Sequence, residues 1–421
     1  MRRHPITALQ LLMTVILTAS LSGCDKEQIT RTYTYYTPVY RTLPEVRANM
    51  KSGPARPIKA AGKIYIYGNY IFLNEFDEGI HIFDNTQPAE PKNLAFIPVP
   101  GNQDLAVKGN VLYADSYSDL VTFDISDPKA VTAIKFADNA FPFRNVYYSF
   151  TGARPANVDS IRVTIDWVRH DTTVSYTPRR DLIYETSFLS NSASAQPSKS
   201  SNGQGGSMAR FTLMNDHLYT VSVSDLFCFN ISNPRDPKFV TKTTISNQFI
   251  ETIYPFKNKL FIGSNQGMFI YDVSTPGSPV KQGTFTHVRS CDPVIADDTR
   301  AYVTLRSGTT CGGFTNQLDV LDITDVTKPS LIKTYGMTNP FGLGKEGNTL
   351  FICDGKDGVK VYDASNSSDV KLIKKIDGME PYDVIAWNNI ALVVAKDGLY
   401  QYDYSDVNNI RLLSKISLEA E

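Results

Sequence analysis

The residues best suited to chemistry are few, and their spacing argues against the reactions they could perform. Gly342-Leu-Gly-Lys-Glu-Gly347 satisfies G-x-G-x-x-G, the spacing with which a backbone turn approaches a dinucleotide pyrophosphate. That use requires a strand before the glycines and a helix after them. Here Thr-Leu-Phe-Ile-Cys at 349–353 follows, which is a strand run, so the glycines read as a turn between two strands. Beyond residue 24 the histidines are His81, His170, His217 and His287, none in H-x-H or H-x-x-x-H spacing. There is no G-x-S-x-G elbow and no Walker loop. We therefore expect no catalytic residue, no metal site and no cofactor.

The chain holds five cysteines. Cys228 and Cys353 sit inside strand patterns and read as small buried hydrophobes. Cys291 and Cys311 lie either side of one strand, at the mouth of the enlarged loop 307–315. In an oxidising compartment they are the candidate disulfide.

The remaining cysteine, Cys24, closes a targeting segment. Arg2, Arg3 and His4 form a basic start, residues 6–21 an apolar stretch too short to span a bilayer, and Leu21-Ser22-Gly23-Cys24 its end. The last four residues resemble the bacterial lipoprotein box. The resemblance implies a signal peptide over 1–23, a lipid-modified Cys24 with palmitate-type acylation, and a membrane partner reached through that lipid. Asp25-Lys26-Glu27 resembles the surface-export signal of Bacteroidetes lipoproteins. The expected address is the bacterial outer membrane, facing either the surface or the periplasm. Cleavage takes Arg2 and Arg3 from the 42 basic side chains, leaving 40 against 43 acidic ones, a balance that offers no field for nucleic acid.

The elements that must carry these residues are repeats. An apolar or aromatic residue followed by Asp or Asn recurs at Phe83-Asp84, Phe123-Asp124, Phe229-Asn230, Tyr271-Asp272, Leu321-Asp322, Tyr362-Asp363 and Tyr402-Asp403, with a period near 40 and one long gap. Each unit reads as four strands. Tight turns such as Glu78-Gly79, Asp357-Gly358 and Asp397-Gly398 join the second strand to the third, and polar, often Pro-bearing turns follow each anchor. One such turn per unit, without the ligand density of a calcium loop, reads as an Asx-type turn and not as a metal site. The architecture expected is an all-β, seven-bladed β-propeller of four antiparallel strands per blade, spanning 62–421. Residues 24–61 form a tether with a strand over 32–40 and a short helix over 43–51.

Segments such as Gly79-Ile-His-Ile-Phe-Asp84, Leu120-Val-Thr-Phe-Asp-Ile-Ser-Asp127 and Leu318-Asp-Val-Leu-Asp-Ile-Thr-Asp325 resemble the LVIVD repeat of bacterial surface propellers. The resemblance implies fold far more than function.

Between blades two and three lies an insertion, 137–207. Its runs 146–150, 160–168 and 172–176 read as strands of a hairpin excursion, and 187–207, rich in Ser, Asn and Gly, as a loop. It is long enough for an eighth blade, the alternative count, but carries no anchor. Loops that lead into the first strands, and those joining second to third strands, share one face of a propeller. Asp77, Asp104, Tyr117, His287, Arg289, Arg306, Glu380 and Tyr382 fall there and form the candidate ligand-binding set. The expected function is non-catalytic binding of a glycan or an outer-membrane protein. The alternatives are a carbohydrate-active lyase or hydrolase working at the channel mouth, and a structural scaffold.

Overall fold

In all seven anchors the Asp or Asn side chain accepts a hydrogen bond from the backbone N–H two residues on, at 2.8–3.0 Å, and that residue is always Ser or Thr. The residue between them donates its own N–H to the carbonyl of the turn between the first two strands, at 2.7–2.9 Å in every unit. The anchor therefore does local work: it bends the chain out of the third strand and ties that corner to the neighbouring hairpin. The carboxylates serve as turn closures. Among the described residues no group of three or more His, Cys, Asp or Glu is placed to hold a metal ion.

The computed structural model describes residues 29–141, 159, 161–176, 204–246, 249–287, 293–308 and 314–419. Cys24, Arg289, Cys291, Cys311 and the strand run 146–150 lie outside the described residues, and with them the lipidation and disulfide expectations.

Seven antiparallel four-stranded units follow one another along the chain, over 64–98, 105–137, 211–244, 250–286, 294–336, 343–376 and 381–417; the sheet of the first is widened to six strands by Gly53–Pro54 on its fourth strand and Gln204–Gly205 on its first. The protein is a seven-bladed β-propeller. Every blade has one register shift between its third and fourth strands, beside the apolar anchor residue. A bulge at that point adds twist. Second and third strands are buried on both faces because each blade is sandwiched by two others, as in Val111–Ser116 and Gly267–Asp272. Fourth strands expose much of their length, as in Arg411–Ser417.

The core is a series of apolar layers between blades. One joins blades six and seven through Phe351, Val361, Val384 and Val393. Another closes the ring, packing Ile64, Leu73 and Phe83 of blade one against Ile385, Leu392 and Leu399 of blade seven. No strand is exchanged at this seam, since Arg411–Ser417 completes blade seven itself. A reciprocal amide pair between Asn85 and Gln401, at 2.7 and 2.9 Å, joins the two blades instead.

Before the ring, Leu43–Ala48 is a helix whose start is capped by Thr42 and Glu45. Arg162–Tyr176 is a single strand, which corrects the expectation of two runs in a hairpin excursion. Its partner is Ile29–Thr42, so the N-terminal strand pairs with the insertion and not with a blade edge. Among the described residues the insertion supplies no eighth blade.

Candidate functional site: the channel and its mouth

First strands of successive blades lie side by side around the axis, so the residues just before and at their starts line one end of the channel. That position is Lys63 in blade one, Asp104 in blade two, Arg210 in blade three and Gly342 in blade six, with Asp383 inside the bulged first strand of blade seven. Lys63 and Asp104 are both buried and form an ion pair at 3.0 Å. Asp104 also accepts the backbone N–H of Arg210. Burial lowers the Arg210 and Arg306 guanidinium groups from their ordinary value, and Glu251 is a counter-charge that opposes the effect at both. The mouth thus carries an alternation of cations and carboxylates, with a polar demand met largely from within.

The channel itself holds a piece of the chain. Gln204–Gly205 pairs antiparallel with the first strand of blade one, Gln204 opposite Ile66 and Gly205 opposite Tyr65. Gly206 then donates to the Ile64 carbonyl at 2.8 Å. Ser207 donates its N–H to Asp383 Oδ1 of blade seven at 3.0 Å, and its hydroxyl accepts the Leu343 N–H of blade six. The Ala209 carbonyl accepts the Ile253 N–H of blade four at 3.0 Å. These residues link the inner strands of blades one, four, six and seven, and Gln204 to Ala209 are all buried. This corrects the reading of 187–207 as a loop throughout: its described end is a channel plug.

Tight packing explains the small residues there. A Cβ on Gly206 would fall 2.0 Å from Asp383 Oδ2, and one on Gly342 would fall 2.2 Å from Asp383 Oδ1. Gly342, the first glycine of the G-x-G-x-x-G pattern, is thus a close-approach position against blade seven, while Gly347, with φ of 55°, makes the turn. Burial holds the Asp383 carboxyl well above the usual carboxylate range, helped by Asp104 and opposed by the Val384 N–H, the Ser207 side chain and Lys63. Asp383 Oδ2 has no hydrogen-bond partner among the described residues, as suits a neutral acid.

The sequence-expected set divides into sectors. Arg306 stacks on Phe341 at 4.0 Å, and Phe341 meets Tyr382 edge-on at 5.5 Å, so two members are joined by an aromatic the sequence reading missed. Glu380 pairs with Lys396 at 3.1 Å beside a shallow groove of about 360 Å³ that also includes Met379 and Asp397. Asp77 and Tyr117 meet at Gly101: the Gly101 N–H donates to the Asp77 carbonyl, and the buried Tyr117 ring covers Gly101. His287 has its ring 6.5 Å from that of Phe285 and donates its backbone N–H to the Gln266 carbonyl. Asp104 belongs to the channel mouth itself.

A second buried cluster lies in blade one. Glu75 accepts from Arg56 at 2.6 Å and from the Ala60 N–H at 3.2 Å, it also takes the Lys59 N–H, and His81 Nε2 lies 3.2 Å away. Burial alone would raise the Glu75 carboxyl, but His81, Arg56 and the two N–H groups outweigh it and hold the group at about 2. The cluster clamps residues 56–60 to the blade.

Comparison with known proteins agrees with this architecture. The family model for the LVIVD repeat matches residues 59–95, 101–135 and 311–337. A search of curated proteins finds no significant match. Among solved structures, a protein from Lactobacillus plantarum superposes with a TM-score of 0.55 at 12% identity, over 85% of this chain and 96% of that one. The periplasmic gluconolactonase PpgL of Pseudomonas aeruginosa gives 0.52 at 12% identity, over 86% and 97%. PorZ, a surface component of the type-IX secretion system of Porphyromonas gingivalis, gives 0.51 at 10% identity, over 88% of this chain and 39% of that one. At such identities the likeness is one of fold. The chain is a seven-bladed β-propeller that carries LVIVD repeats and holds its own residues Gln204 to Ala209 against its inner strands.

Proposed function

We propose that the protein is a lipid-anchored envelope propeller that binds a protein partner through its loop face and performs no chemistry of its own. The observation that carries this reading is the plug. A hydrolase or lyase built on a propeller channel needs convergent, reachable carboxylates there, whereas Asp104 and Asp383 are buried and already bonded to Lys63, Arg210 and Ser207. The lactonase activity of one structural neighbour therefore gains no support from these groups. Service at a bacterial surface, as PorZ performs, suits the Cys24 lipid-anchor reading. The partner would meet the Arg306–Phe341–Tyr382 sector, where a cation and two aromatics are grouped as in many protein-binding surfaces.

The test is affinity capture from detergent-solubilised membranes, with wild type compared with an Arg306→Ala/Tyr382→Ala variant and saccharide binding measured in parallel. A partner held by the wild type and released by the variant is expected. A protein that retains no partner but turns over a saccharide or lactone would overturn the reading.

A further inference from the structure

The paired strands Ile29–Thr42 and Arg162–Tyr176 are 14 and 15 residues long. Residues 30–37 of one and 166–169 and 171–174 of the other are exposed, on both faces of the pair. A two-stranded sheet with neither face covered is marginal in water. This one is laced by Thr34 donating to Asp171 at 2.5 Å and by Tyr35 stacked on His170 at 5.0 Å. It nevertheless presents Tyr33, Tyr35, Tyr36, Tyr40, Trp167 and Val168 to solvent, each 45–55% exposed. Aromatic surface of that density on a marginal ribbon needs an occupant.

We propose that the occupant is the bilayer surface, with the ribbon lying as an interfacial foot among the lipid headgroups. The proposal rests on the Cys24 lipid-anchor reading. Ile29 is five residues from Cys24, so an extended chain places the start of the strand no more than about 18 Å from the anchored cysteine. Any ligand for these aromatics competes with a membrane that is always within reach. The side-chain chemistry matches: Tyr and Trp, with an apolar body and a polar tip, concentrate at membrane–water interfaces. Arg31, Arg41, Arg162 and Arg169 outnumber Asp166 and Asp171 in the ribbon, although the chain as a whole is slightly acidic. That local excess suits phosphate headgroups, and long arginine stems can lie along the apolar boundary.

The chain has two tryptophans, Trp167 in the ribbon and Trp387 in blade seven, which makes the test direct. The full lipidated chain is reconstituted into phosphatidylethanolamine and phosphatidylglycerol vesicles containing brominated lipid, once as Trp387→Phe and once as Trp167→Phe. Expected is a loss of Trp167 emission of about twofold or more, as for a side chain at the headgroup–acyl boundary, with Trp387 emission unchanged. A Tyr33→Ser/Tyr35→Ser/Tyr36→Ser variant should restore most of the Trp167 signal. The mass of the N-terminal peptide reports separately whether Cys24 carries acyl chains. If it carries none, the anchor reading fails, and the ribbon is tested by adding the same vesicles to the soluble chain. Trp167 that stays unquenched in the presence of the vesicles, whether bare or covered by a second copy or another protein, overturns the proposal.

Discussion

The Ser207 amide and the Asp383 carboxyl group meet at 3.0 Å in the middle of the ring, joining a segment that follows blade two in sequence to the first strand of blade seven. Around this contact the inner strands of four blades are tied together by one short buried run of the chain. The plug is as much a part of the fold as any blade, and most of what can be tested follows from how tightly it is held.

Gly206→Ala places a methyl 2.0 Å from Asp383 Oδ2, inside a short, buried side chain whose other oxygen is already bonded. The expected cost is about 1–3 kcal/mol, read as a lower urea midpoint at unchanged slope. Combining it with Asp383→Ser, which removes the obstructing oxygen, should recover part of that loss. Additive losses in the double variant would show that the two side chains do not meet.

Asp383 gives a pH dependence of opposite sign to that of most carboxylates. Its folded value is raised, so the native state holds a proton that the unfolded chain releases near pH 4. The group's contribution is fully present below that pH and is lost as pH rises toward the folded value. Asp383→Asn keeps an oxygen for the Ser207 and Val384 N–H groups and removes the titration. Urea unfolding from pH 4 to pH 8 should show the variant gaining on wild type as pH rises. A constant difference would contradict the assignment.

Anchor turns pull the other way. Ser274 donates its N–H to the Asp272 carboxylate at 2.8 Å, and the two Ser274 bonds, with Lys259, hold that group at about 2. Asp124 and Asp403 are held at about 2 by the same Ser contacts and an arginine each. These depressed values stabilise the fold above the unfolded range near pH 4, and the contribution is lost as pH falls from about 4 to about 2. Glu75 adds to the same acid loss. Asp272→Ala should cost about 0.5–1.5 kcal/mol at neutral pH for the lost turn bonds, and less below pH 2, where the protonated carboxyl keeps the turn without its charge. An equal cost at both pH values would contradict the lowered Asp272 value.

How much of this was legible in the sequence follows from the kind of residue that carries it. The anchors were readable because an Asx turn needs a specific acceptor, and a period near 40 exposes it seven times. The glycine pattern at 342–347 could be rejected because a strand follows it. The plug was not readable, since Gly205, Gly206 and Ser207 have the composition of a loop, and only the carboxylate they pack against distinguishes the two cases. Arg162–Tyr176 was split in two because His170-Asp171-Thr172 interrupts its apolar pattern, and its partner is more than a hundred residues away. Lys63 and Arg210, isolated cations in sequence, acquire meaning only when the ring brings both to Asp104.

The two described cysteines are inert by the same logic of burial. Cys228 and Cys353 are fully buried, and burial pushes the Cys228 thiol up to about 11 and Cys353 well above its usual value. Iodoacetamide followed by peptide mapping should leave both unlabelled in the native protein and label both in urea. Native labelling of either would mean that its blade opens.

The closed channel is tested most directly by hydrogen exchange at the amides of Gly206, Ser207 and Ile253, measured in the native protein. These bonds tie the plug to blades one, seven and four. The account predicts protection comparable to the second strands of the blades, near the limit set by global unfolding. Exchange as fast as that of exposed turn amides would mean that the plug leaves the channel in solution, returning its carboxylates to the list of groups that could do chemistry.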